Sequence, residues 1–260
     1  PFDETSVKQT IDHGIEIIKI ASCSASDWPL IEVIAETEKP VICSSGGASI
    51  YEIDNLVSFF THREIEIALM HCVGVYPSPN DILHMDFLGK MIRRYPYLHI
   101  GWSGHEDPDN TEPVKIAVAK GAKLLERHVG VPTSEITLNK YSMNPSQVDT
   151  WIEAALVSKL ICGSNENKHV TQEELDSLLT LKRGVFAKSP IKKGDIIKND
   201  DVFFAMPCKE GQITSGEFGQ KRATYTATKD YEKYESINEN IQQDNISMIR
   251  NIIHDAKGMI

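Results

Sequence analysis

Short β-rich runs recur along the first half of the chain, at residues 15–20, 40–43, 65–70, 98–101 and 122–125. Their starts lie roughly 25 to 33 residues apart, about the length of one βα unit. Helical patterns fill the gaps. Asp27 is placed as an N-cap before Trp28-Pro29-Leu30-Ile31, with Pro29 in the first turn where proline is tolerated. Ser49 can cap a helix over 50–60, Pro113 opens one over 114–120, and Ser146 precedes one over 148–160. Gly47 and Gly121 sit at joints between elements. Strands alternating with helices imply an α/β fold with a parallel sheet covered on its faces.

An open doubly wound sheet and a (β/α)8 TIM barrel both fit this rhythm. The polar residues favour the barrel. They cluster just after the runs, as Lys19 and Ser22, Ser44 and Ser45, His71, Ser103 and His105, and His128. In a barrel every strand delivers its C-terminal end to one site, whereas an open sheet delivers only those near the switch point. The expectation is an incomplete TIM barrel, with about five of the eight strands, over residues 1–165. Residues 166–182 read as a helix or linker. From about Arg183 the chain changes to short strand-like runs and turns, and residues 187–197 echo residues 227–237 at an offset of about 40. This predicts a small β-rich domain over 183–240 built from two similar hairpin-like pieces. A polar, then amphipathic tail over 241–260 carries Ile246, Ile249, Ile252 and Ile253.

Composition narrows the function. The formal net charge is -10, which argues against nucleic acid as a main partner, because phosphate backbones attract clustered Lys and Arg. No apolar run reaches the roughly 18 residues a membrane span needs. The five cysteines are scattered without a CxxC pair, as reduced core thiols of a cytoplasmic protein would be.

Ser103-Gly104-His105 and Glu126-Arg127-His128 are the metal candidates. Each His follows a predicted strand, and two imidazoles with open positions suit Mn, Fe, Co or Zn better than Mg. A hydrogen-bonded, half-buried histidine is the plainer alternative for each. His71 has apolar neighbours and reads as structural. Lys19, Ser22 and the Ser44-Ser45-Gly46-Gly47 run, joined by Ser103, could cradle a phosphate; such Gly-rich loops are also common as simple turns. Tyr76-Pro77-Ser78-Pro79 is a stiff loop whose ring could meet a sugar or pack on the barrel rim. Trp28 and Trp151 read as core.

The ordered set of Pro1-Phe2-Asp3, Lys19-Ile20-Ala21-Ser22, Lys39-Pro40-Val41-Ile42-Cys43-Ser44-Ser45-Gly46, His71-Cys72 with Tyr76-Pro77, Ser103-Gly104-His105, Glu126-Arg127-His128 and Ser142-Met143-Asn144-Pro145 resembles the sialic acid (N-acetylneuraminate) synthases and the related spore-coat polysaccharide synthases. Arg183-Gly184-Val185-Phe186-Ala187, residues 191–195 and Asp200-Asp201-Val202 resemble the same family's C-terminal antifreeze-like (SAF) domain. The match covers about residues 1–210. It implies a transferase that condenses phosphoenolpyruvate with an amino sugar or related aldose to give a nonulosonic acid and phosphate, for surface polysaccharide synthesis. Lys19, Ser22, Ser44 and Ser103 would hold phosphoenolpyruvate, with Lys19, His105 and His128 catalytic. His105 and His128 would bind a divalent metal (Mn or Mg), and Tyr76 would touch the acceptor. The resemblance also implies a homodimer in which the SAF domain covers the partner's barrel.

The departures from the family pattern are Ser24, Leu138 beside Asn139, Gly74, and Ala205-Met206-Pro207-Cys208 in place of an Arg-Pro-Gly run. All of these fall on the sugar side, and the phosphoenolpyruvate and metal side is intact, which points to the same reaction with a different acceptor. In the family, Pro-Phe follows the third barrel strand. The expectation is therefore an N-terminally truncated chain, inactive alone, lacking three strands with a Glu and a Lys of the active site. Alternatives are another phosphoenolpyruvate-dependent keto-acid sugar synthase, and a non-catalytic barrel/SAF binding protein.

Overall fold

In the computed structural model, which describes residues 1–163, 168–219, 223–238, 240–244, 250 and 252–254, the chain forms two units, Pro1–Asn165 and Glu166–Ile260. The first holds β1 (Ile18–Ile20), β2 (Val41–Ser44), β3 (Ile67–Cys72), β4 (His99–Gly104) and β5 (Leu124–Arg127). They form one sheet in the order of the chain, every neighbouring pair parallel. Between and around them run α1 (Glu4–Asp12), α2 (Trp28–Ala35), α3 (Ile50–Thr61), α4 (Met85–Arg94), α5 (Glu112–Lys120) and α6 (Pro145–Cys162). A doubly wound sheet reverses direction at a switch point. Here the order never reverses, so right-handed crossovers put the helices on one side and the sheet curls as a half-barrel. The described residues thus supply five strands, against the eight of a closed (β/α)8 barrel.

Strand alternation explains the core. Ile18, Ile20, Val41, Cys43, Ile67, Leu69, Ile100 and Trp102 are buried in one cluster with helix residues such as Leu30, Ile34, Ile53, Leu56 and Leu88. Burial in this layer pushes the Cys43 thiol up to about 12. The intervening residues Lys19, Ile42 and Ala68 face the concave side and are only half-buried. His71 belongs to the helix side. It is buried between Phe87 and Trp102 and bonds Leu83 O through Nε2 at 2.9 Å, and burial lowers its pKa.

The helix starts follow local chemistry. Asp27 accepts from Leu30 N, and Ser49 forms a capping box with Glu52. α6 begins at Pro145, earlier than the sequence suggests, because Asn144 rather than Ser146 is the cap and exchanges bonds with Gln147. Trp151 is buried, but Trp28 is not core: it is 37% exposed and lies edge-on to Phe59. All five cysteines are unpaired. Among the described residues no helix is long and apolar enough to cross a membrane.

The second unit contains α7 (Gln172–Leu181), β6 (Gly184–Ala187), β7 (Val202–Ala205), α8 (Ser215–Gly219), β8 (Ala223–Ala227) and β9 (Asn240–Asp244). β6 pairs antiparallel with β7, and β8 with β9. The echo at an offset of 40 is a structural repeat. Ile191 and Tyr231 exchange main-chain hydrogen bonds. Gly194 N donates to Ala227 O at 2.8 Å, and its counterpart Tyr234 N to Ala187 O at 2.7 Å. The core pairs Val185 with Tyr225, Ala187 with Ala227, Ile191 with Tyr231 and Ile197 with Ile237, each at that offset. Gly194 and Tyr234 both have positive φ, 92° and 71°. β9 lies where the sequence suggests a tail, because it is the counterpart of β7. Ile246 and Ile249 fall outside the described residues, and Ile252 and Ile253 are exposed.

One exposed clamp ties α3 to α4. Asp54 accepts from Arg94 Nε (2.8 Å) and Nη2 (2.6 Å) and from the Tyr95 hydroxyl (2.6 Å). These bonds, Arg94 first, hold the Asp54 carboxyl below its usual range. A depressed carboxylate stabilises above its unfolded pKa, and that contribution is lost as pH falls through the folded value. Asp54→Asn is expected to cost about 1 kcal/mol at pH 7, discounted for solvent exposure. In denaturant titrations the difference from wild type should vanish at a pH below the folded pKa. A difference that persists there would assign the loss to something other than the charge.

Candidate active site

The C-terminal ends of the five strands bring Lys19, Ser22, Ser44, Tyr76, Ser103, His105 and His128 to one end of the half-barrel. Lys19, Ser44 and Ser103 lie on strands, Ser22 opens a 3-10 turn after β1, and Tyr76, His105 and His128 lie in loops after β3, β4 and β5. Lys19 Nζ donates to Ser44 Oγ at 2.7 Å and lies 3.5 Å from Glu126 Oε2. Ser103 donates to Glu126 Oε1 at 2.9 Å. Four strands, β1, β2, β4 and β5, are thus linked through one ammonium and one carboxylate. Ser22 sits beside this group. Its Oγ accepts from Gly46 N and lies 3.0 Å from Cys72 Sγ. A Cβ at residue 46 would fall 2.7 Å from Cys72 Sγ and 2.8 Å from Ser22 Oγ, so only glycine lets the loop approach this closely.

The two histidines form a second group. Their rings are 5.2 Å apart, centre to centre. His105 Nδ1–H donates to Val73 O at 2.9 Å. In the neutral ring this leaves a lone pair on Nε2. Burial lowers the His105 pKa and so favours the neutral ring, against the opposing effect of that bond. Tyr76 lies 4.2 Å from the His105 ring, and Tyr141 lies 5.1 Å from both Tyr76 and His128. The Tyr76-Pro77 peptide is cis. An open groove of about 1230 Å³ runs from Ser22 and Gly46 past Tyr76 to Lys90 and Arg93 on α4.

Among the described residues no group of three His, Cys, Asp or Glu side chains is placed to enclose a metal ion. Two imidazoles, one with its second nitrogen tied to a carbonyl, would leave any such ion held from one side only, as an open site. Such a site suits an ion whose remaining positions go to water or substrate oxygens.

The NeuB family profile matches residues 1–167. The chain belongs to the NeuB family. It is 46% identical to the crystal structure assigned to a spore coat polysaccharide biosynthesis protein E from Chromobacterium violaceum, with a TM-score of 0.85 over 91% of this chain and 70% of that one. It is 28% identical to the spore coat polysaccharide biosynthesis protein SpsE of Bacillus subtilis over 81% of this chain and 60% of that protein. It is 26% identical to the N,N'-diacetyllegionaminic acid synthase of Campylobacter jejuni over 92% and 71%. The chain thus spans 60% of the length of the Bacillus relative.

Sequence reasoning assigned no role to four residues of this NeuB site. Glu126 faces the concave side while Arg127 faces away, which strand parity within Glu126-Arg127-His128 could have revealed. Tyr141 had no local signal. It arrives because the chain returns to β5, where Met143 N bonds His128 O and Gly130 N bonds Met143 O. Leu138, one of the departures, is half-buried, and a Cβ at Gly130 would strike its side chain. Glu106 and Arg127 form an ion pair at 2.7 Å with side chains 0% and 1% exposed.

Gly46→Ala should lower stability by about 1–3 kcal/mol, the range for overpacking, because Ser22 and Cys72 must separate. Thermal melts compared with Gly47→Ala, where a Cβ meets open space but φ is 77°, would separate crowding from backbone strain. A loss confined to Gly47→Ala would contradict the close approach at Gly46.

Proposed function

We propose that this chain is the greater part of a synthase that joins phosphoenolpyruvate to an amino sugar or related aldose, giving a nonulosonic acid and phosphate. The observation that carries the reading is the meeting of the Lys19–Ser44–Glu126–Ser103 group with the His105–His128 pair at one end of a NeuB-family half-barrel. Lys19, Ser22, Ser44 and Ser103 would bind the phosphate and carboxylate of phosphoenolpyruvate. Glu126 holds the Lys19 ammonium until that anion arrives. The acceptor would meet Tyr76, whose ring packs against His105. The atoms balance simply. C3 of phosphoenolpyruvate bonds to the aldehyde carbon, water adds at C2, and the bond from C2 to the phosphate ester oxygen breaks to release phosphate.

His105 and His128 would hold the divalent metal, Mn or Mg, and imidazole donors favour Mn. When bound there, the ion would supply Lewis acidity to the acceptor's aldehyde oxygen. The Lys19 ammonium would stabilise negative charge gathered on phosphoenolpyruvate during the step.

The working enzyme would have a closed barrel. Two observations support this. Within the described residues β1 pairs only with β2 and β5 only with β4, leaving both edges open. α6 also exposes Ile152, Leu156, Leu160 and Ile161, an apolar stripe that further βα units would cover. The small β-rich unit would be the antifreeze-like domain, covering the partner's barrel in a homodimer. Leu138 and Gly74 in place of polar residues suggest an acceptor other than N-acetylmannosamine.

In the full-length protein, Lys19→Ala should raise the KM for phosphoenolpyruvate roughly 30- to 100-fold, the loss of one charge-assisted contact of about 2–3 kcal/mol. The KM for the sugar should change far less. Equal effects on both substrates in steady-state kinetics would reject the phosphate role. His128→Ala should abolish metal-dependent turnover while circular dichroism stays unchanged. Normal turnover would sink the metal assignment, and failure of phosphate release from phosphoenolpyruvate with any aldose would sink the synthase reading.

A further inference from the structure

We propose that the buried Glu106–Arg127 pair is a positioning device for the two imidazoles, holding the ends of β4 and β5 together so that His105 and His128 keep the spacing a metal ion requires. The proposal rests on the metal role given above to those histidines.

Position comes first. Glu106 follows His105 directly, and Arg127 precedes His128 directly. By strand alternation, the histidines share the concave side with Ser103 and Glu126, while Glu106 and Arg127 share the opposite side with Gly104 and Trp102. Neither member of the pair belongs to the substrate-facing cluster. Each is the immediate chain neighbour of one ring.

The contact is also double. Arg127 Nη1 lies 2.7 Å from Glu106 Oε2, and Nη2 donates to the Glu106 main-chain oxygen at 2.9 Å. One rigid guanidinium therefore grips both the side chain and the backbone of the residue bonded to His105. The fork geometry of arginine fixes direction as well as distance. The fit is tight: a Cβ at Gly104 would collide with both Glu106 carboxylate oxygens and with Trp102 Nε1.

The pair is, finally, a poor source of stability. Its side chains are 1% and 0% exposed. Arg127 Nε and Nη1 and both Glu106 carboxylate oxygens are buried without a well-aligned hydrogen-bond partner among the described residues. Desolvating two charges costs about what their attraction returns, and apolar residues of similar volume often serve the fold as well or better. What apolar residues cannot reproduce is the link between two strand ends.

The test uses the full-length protein and Mn²⁺ alone, without substrate. Mn²⁺ affinity is measured by titration calorimetry beside the melting temperature, for wild type, Glu106→Gln and the double variant Glu106→Leu/Arg127→Met. The expected result is binding about tenfold weaker for Glu106→Gln and 10- to 100-fold weaker for the double variant, the usual range for residues that orient metal ligands. The double variant should melt at or above the wild-type temperature. A folded double variant that binds Mn²⁺ as wild type does would overturn the positioning role, and it decides the matter if Glu106→Gln fails to fold. His128→Ala separates the two readings. If it binds Mn²⁺ as tightly as wild type, the metal assignment fails and the positioning role falls with it. If it loses Mn²⁺ while the double variant does not, only the positioning role falls.

Discussion

The two-residue alternation of a parallel strand governs most of this unit. On β4, Trp102 and Gly104 point toward the helices while Gly101 and Ser103 point to the concave side; on β5, Leu125 and Arg127 pair off against Leu124 and Glu126 in the same way. One set must be apolar, or charged and paired, because the helices bury it. The other set is relieved of that duty and can carry a lysine, two serines and a carboxylate. A slip of one residue in β1 would bury Lys19 and expose Ile20. The register that builds the core therefore also assembles the site.

Much of this was legible in the sequence because period and punctuation are local. The five runs reappear as β1 to β5, and Asp27, Ser49 and the joint at Gly121 do what their chemistry suggests. The 40-residue echo in the second unit was legible for the same reason: a repeated hydrophobic spacing, from Val185 to Tyr225 and from Ile197 to Ile237, reflects a repeated packing problem. The position of β9 followed from that repeat but was hidden by its polar composition. Trp28 was misread because size alone does not bury a residue at a helix start, where one face meets solvent.

The gaps in the site have a different origin. Tyr141 reaches His128 only because the long excursion after β5 folds back on itself, and no spacing rule encodes that return. Arg127 and Glu106 are separated by 21 residues, and each alone resembles an ordinary surface charge. Their burial depends on two strand ends meeting, which is a tertiary fact. Glu126 lies between these cases: parity predicts its direction, but its ammonium partner comes from β1, three strands beyond β4, the neighbour of β5.

This division bears on how one scaffold could serve different acceptors. Under the proposed assignment, the phosphoenolpyruvate side is held by Lys19, Ser44 and Ser103, which lie on strands, and by Ser22, held by Gly46 in the next loop. Their positions are set by the same strand register, and by the same close approach at Gly46, that build the core. Under the same assignment the acceptor would meet Tyr76, beside which Tyr141 packs, and the acceptor side would include Leu138, all on loops after β3 and β5. Loop residues bear little of the packing, so their replacement costs the fold less. The departures at Gly74 and Leu138 occur on this side. Under this assignment one half of the chemistry would be rigid because the strands that carry it also build the core, and the other half would be free to change because its loops do not.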